Sequence, residues 1–308
     1  MDNLLNVSSS PHIKTDANTR SIMIDVIISL IPCICFGVYV FGQKALLIII
    51  VSTIAAVLSE FLFDLITRRK NSIFDFSAIV TGILLGLNMP VSVDLFIPIL
   101  GSIFAIIVAK MLFGGLGQNF MNPALCGRAF LAMSFASYMN NFTYDGITAA
   151  TPLNTLRQGI NIDLIDTCIG FIPGTIGEVS TIAILIGFIY LLIKRIIDYR
   201  IPFFSLFTFL IFILLFSGNA SNINYVVGQV ISGGLLFGIV FMATDYVTSP
   251  VTNFGKVLYG VFLGVMFGIF RLYGKSTEGV TYSILIGNLL VPFIEKITIN
   301  RPFGRESA

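Results

Sequence analysis

Ten long apolar stretches, separated by short polar segments, occupy most of the chain. They are Ile22–Phe41, Ala45–Ile66, Phe76–Met89, Leu95–Leu112, Ala124–Met139, Val179–Ile197, Pro202–Ser217, Tyr225–Ala243, Gly255–Leu272 and Val280–Ile297. About 20 apolar residues span a bilayer as a helix, and several of these stretches are shorter. Short or interrupted helices at membrane depth usually line a cavity, because their freed backbone groups cannot face lipid. The pattern predicts an all-α integral membrane protein with about ten transmembrane helices.

Composition agrees with this class. Hydrophobic residues make up 56% of the 308 residues and charged residues only 11%, with a mean hydropathy of +0.94. Soluble domains do not have this composition, so we expect membrane lipid, and no nucleic acid, around the protein. The first twenty residues are polar and include Lys14 and Arg20, which argues against a cleaved signal peptide.

The basic residues predict the orientation. With a cytoplasmic N-terminus and ten crossings, the inner side receives Lys14, Arg20, Arg68, Arg69, Lys70, Lys110, Arg128, Lys194, Arg195, Arg200, Lys256, Lys296, Arg301 and Arg305. The outer side receives Lys44, Arg157, Arg271 and Lys275, the remaining four of the 18 Lys and Arg residues. This asymmetry follows the positive-inside rule and places both termini in the cytoplasm. The expected organisation is an N-terminal arm (1–20), a first five-helix half (21–139), an external loop (140–178), a second five-helix half (179–298) and a C-terminal tail (299–308).

Two similar glycine-containing segments suggest an internal repeat. Thr81–Gly86 resembles Gly233–Gly238, each lies in the third helix of its half, and each precedes a helix-breaking stretch with Pro and Asp. Five helices per half would make the two halves inverted. Close helix packing by small residues is the alternative explanation of the same glycines.

A second segment, Gly114–Ala124, combines glycines with Asn122 and Pro123. The glycines permit a tight turn, and Asn122 can cap the helix that Pro123 begins. Two interpretations remain for this segment: a re-entrant turn with a structural role, which we favour, and a contact with a ligand.

The polar run Asp145-Gly146-Ile147-Thr148-Ala149-Ala150-Thr151 lies in the external loop. Thr151 precedes Pro152 and a short helix-compatible run that ends at Gly159, so Thr151 has the chemistry of an N-cap. A phosphate esterified to Thr151 would lie at the positive end of that helix, where anions are stabilised. The run is the best candidate for the chemistry of this protein.

The same run resembles the flavinylation motif that is found in the D subunit of the Rnf electron-transport complex and in the B subunit of the sodium-pumping NADH:quinone reductase. The resemblance implies that Thr151 carries FMN through a phosphoester bond formed by a flavin transferase that uses FAD. Asp145, Gly146, Thr148 and Ala150 are then part of the recognised motif, which has Ala149 where many members have Gly.

The resemblance covers essentially the whole chain, and it implies further properties. The fold would be similar to the urea-transporter class, with two inverted five-helix halves. The protein would be a multi-pass subunit in the inner membrane of a bacterium, working with Rnf subunits A, B, C, E and G as part of a translocase. Electrons would flow from ferredoxin to NAD through FMN, coupled to Na+ or H+ movement. Some members also hold a second, noncovalent flavin (riboflavin) within their helices.

Carboxylates near the helices supply candidates for an ion pathway. Asp245 follows the break after Ala243, and Asp94 follows the break at Asn88-Met89-Pro90. Intramembrane carboxylates are costly and usually pair or bind cations, so we expect Asp245 and Asp94 at opposite mouths of one path, with helix capping or structural pairing as the alternative for Asp245. Glu60, Asp64 and Arg68 have i, i+4 spacing, which predicts an ordinary solvated helix end.

Metal chemistry is not expected. The four cysteines are Cys33, Cys35, Cys126 and Cys168, and neither their spacing nor the single histidine, His12, suits a metal or haem site. Two other function classes remain as alternatives to a flavin-carrying subunit. One is a urea-like channel for small solutes, and the other is a scaffold subunit without redox activity.

Overall fold

A computed structural model describes residues 18–69, 72–144, 147–148, 150–219, 221–274 and 278–298. For residues 147 and 148 the description is limited to the backbone. The N-terminal arm except for its last residues, the C-terminal tail, and Asp145, Gly146 and Ala149 of the flavinylation motif lie outside the described residues. The protein is mostly helical, and helices occur in all ten predicted apolar stretches.

Helices of the first part of the chain run to Met139. They are α1 (Thr19–Phe41), α2 (Gln43–Thr67), α3 (Ser77–Leu87), α4 (Phe96–Ile103), α5 (Pro123–Ser134) and α6 (Ala136–Met139). A π-helical segment, Phe104–Val108, continues α4, and 3₁₀ turns lie at Ile73–Asp75 and Met111–Phe113.

Two short helices, α7 (Pro152–Arg157) and α8 (Leu164–Ile169), lie in the predicted external loop. The remaining helices are α9 (Thr181–Ile193), α10 (Arg200–Phe216), α11 (Ile223–Ile231), α12 (Leu235–Phe237), α13 (Asn253–Leu272) and α14 (Gly279–Thr298). A π-helical segment, Gly238–Met242, continues α12.

Five of the described helical segments are long and apolar enough to span a membrane by themselves, as expected of a multi-pass membrane protein. They are α1, α2, α13, α14 and the segment Phe96–Phe113 that begins with α4. The bent pair formed by α11 and α12 with its π-helical continuation makes a sixth if it is one span, with a 49° bend. The sequence predicts about ten; α3, α9 and α10 are apolar but shorter than a full span.

Local sequence explains several helix boundaries. Asn18 begins α1 with a capping box, in which its side chain and that of Ser21 bond each other's backbone N–H groups. The predicted cap of α5 is confirmed, because the Asn122 side chain accepts from the backbone N–H groups of Ala124 at 3.0 Å and Leu125 at 3.3 Å. These caps satisfy N–H groups that would otherwise lack partners.

The structure also contains a small β-hairpin that the all-α prediction missed. Strands β1 (Thr143–Tyr144) and β2 (Ile147–Thr148) pair antiparallel on either side of Asp145 and Gly146. Asp-Gly between two β-compatible dipeptides is a strong hairpin signal, and it was present in the sequence. The run from Asp145 to Thr151 therefore contains β2 and ends at the N-cap of α7.

Helices pack closely through small residues. α1 packs against α9, α2 against α3 and α4, and α10 against α13, while α5 contacts α14 across the two parts of the chain. A Cβ on Gly82 would lie 2.5 Å from the Thr53 Cα, and one on Gly264 would lie 2.6 Å from the Ser205 carbonyl oxygen. Such close backbone approach is the usual basis of helix association in membranes.

The prediction of a solvated end for α2 was wrong. Glu60 is fully buried and Asp64 is 4% exposed. Lys110 Nζ lies 2.7 Å from Glu60 Oε2, and Ser72 donates its hydroxyl to Glu60 and its backbone N–H to Asp64. Arg68 ends the helix in a left-handed conformation. The i, i+4 spacing was compatible with a surface ladder, but Lys110, 50 positions away from Glu60, supplies the buried partner.

Candidate functional site

Thr151 lies in the wall of a cavity, which we call the Thr151 cavity. It encloses about 510 Å³ of empty space, counted out to open solvent. Its lining is formed by Arg128, Phe142, Thr151, Pro152, Leu153, Ile172, Pro173, Gly174, Thr175, Glu178, Val179, Gly233 and Glu278. The lining combines apolar walls with charged side chains from distant parts of the chain, which is typical of a binding site.

Thr151 occupies the N-cap position of α7, as the sequence predicted, with extended backbone angles of −67° and 152°. Pro152 is the first residue of the helix. The Thr151 side chain makes no capping hydrogen bond, and the residue is only 8% exposed. The hydroxyl is therefore available for another bond, at the surface of a cavity rather than on open protein surface.

A buried charge cluster forms one side of this cavity. Arg128 Nε lies 2.6 Å from Glu278 Oε2, and Arg128 Nη2 lies 3.1 Å from Glu278 Oε1. Nη1 donates to Glu178 and to the Asn88 side-chain oxygen. Thr281 donates to Glu278 at 2.9 Å. A bidentate guanidinium–carboxylate pair with further donors is a strong arrangement for charges kept from water.

Two glycines at the bend between α11 and α12 allow this cluster to approach the helix. Gly233 and Gly234 have φ angles of 66° and 69°, which favour glycine. A Cβ on Gly234 would lie 2.4 Å from the Glu178 carboxyl carbon, and one on Gly233 would lie 2.6 Å from Arg271 Nη1. Arg271 is buried, and its Nη2 donates to the Ser232 carbonyl at 2.9 Å. The predicted repeat segment Gly233–Gly238 thus begins where charged side chains pass the backbone.

A second and larger cavity, the Asp245 cavity, encloses about 740 Å³ of empty space, counted out to open solvent. It is lined by Met23, Val26, Ser77, Val80, Thr81, Leu84, Lys110, Leu116, Asn119, Asn122, Pro123, Leu191, Ile196, Ile197, Val240, Phe241, Thr244, Asp245, Tyr246 and Val247. The walls are mainly apolar. Asn119 Oδ1 is buried and has no hydrogen-bond partner, an unusual state that indicates room for a polar ligand or water.

Asp245 stabilises a turn and lies in a cavity wall, and its predicted part in an ion pathway stays a prediction. Its carboxylate accepts from the Val247 backbone N–H at 3.2 Å and from the Thr248 hydroxyl at 3.2 Å, which is a turn-stabilising arrangement. It also lines the Asp245 cavity. Burial raises the pKa of Asp245 above its ordinary value, although the hydrogen bonds from Val247 and Thr248 act in the opposite direction.

Asp94 is exposed just before α4, and the structure does not bring it together with Asp245. The two predicted helix breaks do meet. Asn88 donates to the Met242 sulfur at 3.8 Å, and Asn122 donates to the Met242 carbonyl at 3.4 Å.

The described residues of the motif lie in different surroundings. Thr151 lines its cavity, Ala150 is exposed next to it, and Thr148 ends β2. Asp145 and Gly146 lie outside the described residues, so their predicted roles stay predictions. Of the motif residues whose side chains the structure describes, Thr151 lines the same cavity as the charge cluster.

Sequence reasoning missed Arg128, Glu178, Glu278 and Arg271 as members of this site. One signal was present for Arg128, a charge within the apolar stretch Ala124–Met139, since such residues usually face a protein interior or a cavity. The grouping itself could not be found from sequence, because Glu278 lies 150 positions from Arg128.

Known proteins resemble the chain along almost all of its length. The model of the NQR2, RnfD, RnfE family matches residues 6–304. The D subunit of the Na(+)-translocating ferredoxin:NAD(+) oxidoreductase complex of Acetobacterium woodii is 42% identical, over 97% of this chain and 95% of that protein. The D subunit of the proton-translocating ferredoxin:NAD(+) oxidoreductase complex of Clostridium ljungdahlii is 37% identical, over 98% of this chain and 97% of that protein. The B subunit of the Na(+)-translocating NADH-quinone reductase of Chromohalobacter salexigens is 37% identical, over 74% of this chain and 61% of that protein.

Proposed function

The chain belongs to the NQR2, RnfD, RnfE family, and on this premise we propose that it is a covalently flavinylated membrane subunit of an Rnf-type ion-translocating ferredoxin:NAD oxidoreductase. FMN is attached to Thr151, electrons pass through it, and their passage is coupled to Na+ or H+ translocation. Rnf subunits A, B, C, E and G are the expected partners. This subunit contributes to the translocase and is not an enzyme by itself.

The observation that carries the proposal is the setting of Thr151. Its hydroxyl makes no capping bond and lines a cavity with apolar walls at the end of an Asp-Gly-x-Thr-Ala-Ala-Thr run. A structural threonine at an N-cap normally accepts a backbone N–H bond. Thr151 leaves that bond unmade, which is consistent with a hydroxyl reserved for a covalent link.

The residues present fit a flavin phosphate ester. Arg128 lines the same cavity as Thr151, and Thr175 Oγ1 is buried in the cavity wall without a partner. Phe142, Leu153 and Ile172 supply apolar surface for a ring system. Bound there, FMN supplies one- and two-electron chemistry. The chain's own residues anchor it through Thr151 and exclude water from one side.

The attachment reaction is a balanced exchange of phosphate bonds. The Thr151 oxygen bonds to the phosphorus of the FMN portion of FAD, the pyrophosphate bond breaks, and AMP leaves, while the hydroxyl proton passes to solvent. A flavin transferase catalyses this exchange. Of this chain, only the Thr151 hydroxyl is consumed.

The proposal is tested by expressing the chain with and without a flavin transferase and imaging flavin fluorescence after denaturing electrophoresis. The wild-type band should fluoresce only with the transferase, and Thr151→Ala should abolish the signal. Thr148→Ala serves as the matched control, because it removes the other hydroxyl of the motif and should leave flavin on residue 151. A fluorescent Thr151→Ala band, or a flavinylated peptide containing only Thr148, would refute the assignment.

We also propose the ten-helix arrangement in two inverted halves, as in the urea-transporter class, with both termini cytoplasmic and the Thr151 loop external. Helix pairing supports it. The first helices of the two halves, α1 and α9, pack together. The second and fourth helices pair within each half, α2 with α4 and α10 with α13. Equivalent pairs of this kind are expected of a structural repeat.

A second, noncovalent flavin such as riboflavin fits the Asp245 cavity best, and we include it in the proposal. The walls of the cavity are mainly apolar, and Asn119 offers an unpaired amide oxygen that can accept from a ring N–H. Acid extraction of the purified Thr151→Ala protein should release one flavin. Asn119→Leu should reduce the amount released, and unchanged release from that variant would contradict this location.

The alternatives make different predictions. A small-solute channel needs no cofactor and gives no reason for a Thr151 hydroxyl without a cap bond. A scaffold subunit predicts that complexes with Thr151→Ala keep their ferredoxin:NAD activity. Both are rejected if that variant assembles normally but loses electron transfer.

A further inference from the structure

Residues 172–179, which connect α8 to α9, form much of the wall of the Thr151 cavity. We call them the 172–179 segment, and those that line the cavity are Ile172, Pro173, Gly174, Thr175, Glu178 and Val179. The start of α7, which follows Thr151, forms another part of the wall through Pro152 and Leu153. A group attached to Thr151 would therefore share its cavity with the 172–179 segment.

Main-chain hydrogen bonds fix this segment at the break after α3. The Ile176 N–H donates to the Met89 carbonyl at 3.0 Å. The Gly177 N–H donates to the Leu87 carbonyl at 2.7 Å. The segment thus supplies donors for carbonyls that the end of the helix leaves free. The backbone that follows Thr175 is therefore held in one place.

The Thr175 hydroxyl is buried without a partner. The residue is 2% exposed, and its Oγ1 has no hydrogen bond to any residue that the structure describes. Two other buried threonines are satisfied by their own helices. Thr81 donates to the Ser77 carbonyl at 2.9 Å, four positions earlier. Thr167 donates to the Asp163 carbonyl at 2.6 Å, also four positions earlier. Thr175 lies outside any helix, so it has no carbonyl one helical turn before it.

An unpaired buried hydroxyl in a cavity wall indicates a ligand. Buried polar groups nearly always have partners, and leaving one unpaired costs free energy. Valine has the branched shape of threonine without the hydroxyl, and it would fill the same position without that cost. A threonine at this place in the wall is therefore best explained by a hydrogen-bond acceptor that the cavity receives.

The proposed occupant of the cavity brings such acceptors. FMN carries oxygens on its phosphate, on its ribityl chain and on its ring, and a threonine hydroxyl can donate to any of them. Rotation about χ1 exchanges the positions of the hydroxyl and the methyl group, so a threonine in the wall can turn its hydroxyl towards a ligand. Because the hydroxyl is neutral, this bond leaves the ion pairs of Arg128 with Glu178 and Glu278 unchanged.

We propose that Thr175 is a binding residue for the flavin carried by Thr151, and that its hydroxyl donates a hydrogen bond to an oxygen of that flavin. This inference rests on the proposed flavinylation of Thr151. It adds a contact from outside the motif, and it gives the 172–179 segment a part in holding the cofactor. A threonine that only fills space in the wall would not interact with the flavin.

The test uses the purified full chain in detergent, produced with and without the flavin transferase. Thr175→Val removes the hydroxyl and keeps the shape of the side chain, whereas Thr175→Ser keeps the hydroxyl. The matched control is Thr167→Val, because Thr167 is also buried but does not line the Thr151 cavity. Samples that elute natively from size-exclusion chromatography are compared in three properties: the unfolding temperature of both forms, the absorption spectrum of the flavin and its ³¹P resonance.

Without flavin, Thr175→Val should unfold at or above the wild-type temperature, because it removes an unpaired buried group. Flavinylation should then raise its unfolding temperature by about 2 °C less than it raises that of the wild type, the effect of one hydrogen bond in a chain of this size. Thr175→Ser should respond to flavinylation as the wild type does. Thr167→Val should lower the unfolding temperature equally in both forms, since each contains the bond to Asp163.

The spectra identify the acceptor. A changed ³¹P resonance in flavinylated Thr175→Val would indicate a phosphate oxygen, and a changed absorption spectrum would indicate a ring oxygen. A thermal effect without either change would indicate an oxygen of the ribityl chain. A merely structural threonine would affect both forms equally and leave both spectra as in the wild type.

Equal thermal shifts in the two forms of Thr175→Val, with wild-type spectra, would overturn the inference. If Thr175→Val does not fold, Thr175→Ala is compared with Thr175→Ser by the same measurements and the same criterion. A folded Thr175→Val protein that stays without flavin supports the inference if Thr175→Ser is flavinylated, and opposes it otherwise. Flavin on Thr151 with no effect of the Thr175 variants refutes this inference alone. Absence of covalent flavin from the wild type refutes the proposed function instead.

Discussion

Arg128 and Glu278 form a buried, bidentate ion pair across 150 positions of sequence, with Nε–Oε2 and Nη2–Oε1 distances of 2.6 and 3.1 Å. Arg128 lies on α5, and Glu278 immediately precedes α14. The pair therefore ties the two parts of the chain together at the wall of the Thr151 cavity. Glu178 and Asn88 extend the same cluster through Nη1.

Replacing Arg128 should destabilise the protein strongly. Arg128→Gln leaves the carboxylates of Glu178 and Glu278 buried without their cation, and loss of one partner from a buried pair costs about 3–5 kcal/mol. Thermal unfolding in detergent would measure the effect. Glu278→Gln is the matched comparison, with a smaller loss expected because Arg128 keeps Glu178. Equal and small losses for both variants, within about 1 kcal/mol as for surface pairs, would contradict a stabilising role for the cluster.

The predicted sidedness can be tested with single cysteines in a background that lacks the four native ones. Gln158 is exposed just after α7, and Lys194 is half-exposed after α9. A cysteine at Gln158 should react with an impermeant thiol reagent added outside intact cells, and one at Lys194 only after the membrane is opened. The reverse labelling pattern would invert the orientation that the basic residues predict.

Asp245→Asn should lower Na+ or H+ transport while covalent flavin on Thr151 remains. The substitution keeps the size of the side chain and most of its turn geometry, but it removes the only carboxylate that lines the described wall of the Asp245 cavity. Ion uptake into vesicles, at matched electron flux, is the measurement. Asp94→Asn tests the second predicted mouth in the same assay. Wild-type transport by Asp245→Asn would leave this residue with its structural role in the turn.

A pH-dependent contribution to stability is expected from Asp198. Burial raises its pKa, but hydrogen bonds from the Arg200 backbone and from Lys256 at 3.0 Å, together with both charges, leave the pKa below its ordinary value. A lowered pKa in the folded state means that the ionised form stabilises the fold above the unfolded-state pKa. That contribution is lost as pH falls through the lowered value.

Asp198→Asn should therefore unfold more readily than the wild type at neutral pH. The difference between the two proteins should shrink as the pH falls below the ordinary range of an aspartate and vanish in acid. Melting temperatures recorded from neutral to acidic pH in one detergent would show it. A difference that stays constant with pH would mean that the carboxylate charge is not the stabilising element.

Local signals carried much of the prediction. Each of the ten apolar runs contains a helix, and Asn122 and Thr151 were found at the N-caps expected of them. The Asp-Gly dipeptide contained the signal for the hairpin that was missed. Each of these depends on residues within a few positions of one another. Hydrogen bonds at a cap, the length of an apolar run and the preference of a turn are all set over that short range.

The sequence did not predict how long each membrane span is, or which charged residues pair with one another. Glu60 and Asp64 had the i, i+4 spacing of a solvent-exposed helix end. In the structure both are buried, with Lys110 bonded to Glu60 and Ser72 bonded to Asp64. Four stretches that were expected to cross the bilayer form helices shorter than a full span, namely α3, α5, α9 and α10, and one stretch is bent at Gly233 and Gly234. These outcomes depend on which helices pack together, and spacing along one helix does not contain that information.

The sequence by itself determined that this protein is mostly helical and has the apolar segments of a multi-pass membrane protein, because composition and apolar runs are local properties. Only the tertiary structure decided that Thr151 faces Arg128, Glu178 and Glu278, and that Arg271 lies beyond Gly233. The physical reason is that a charge kept from water must find its partner wherever the packed chain brings one, at whatever distance in sequence.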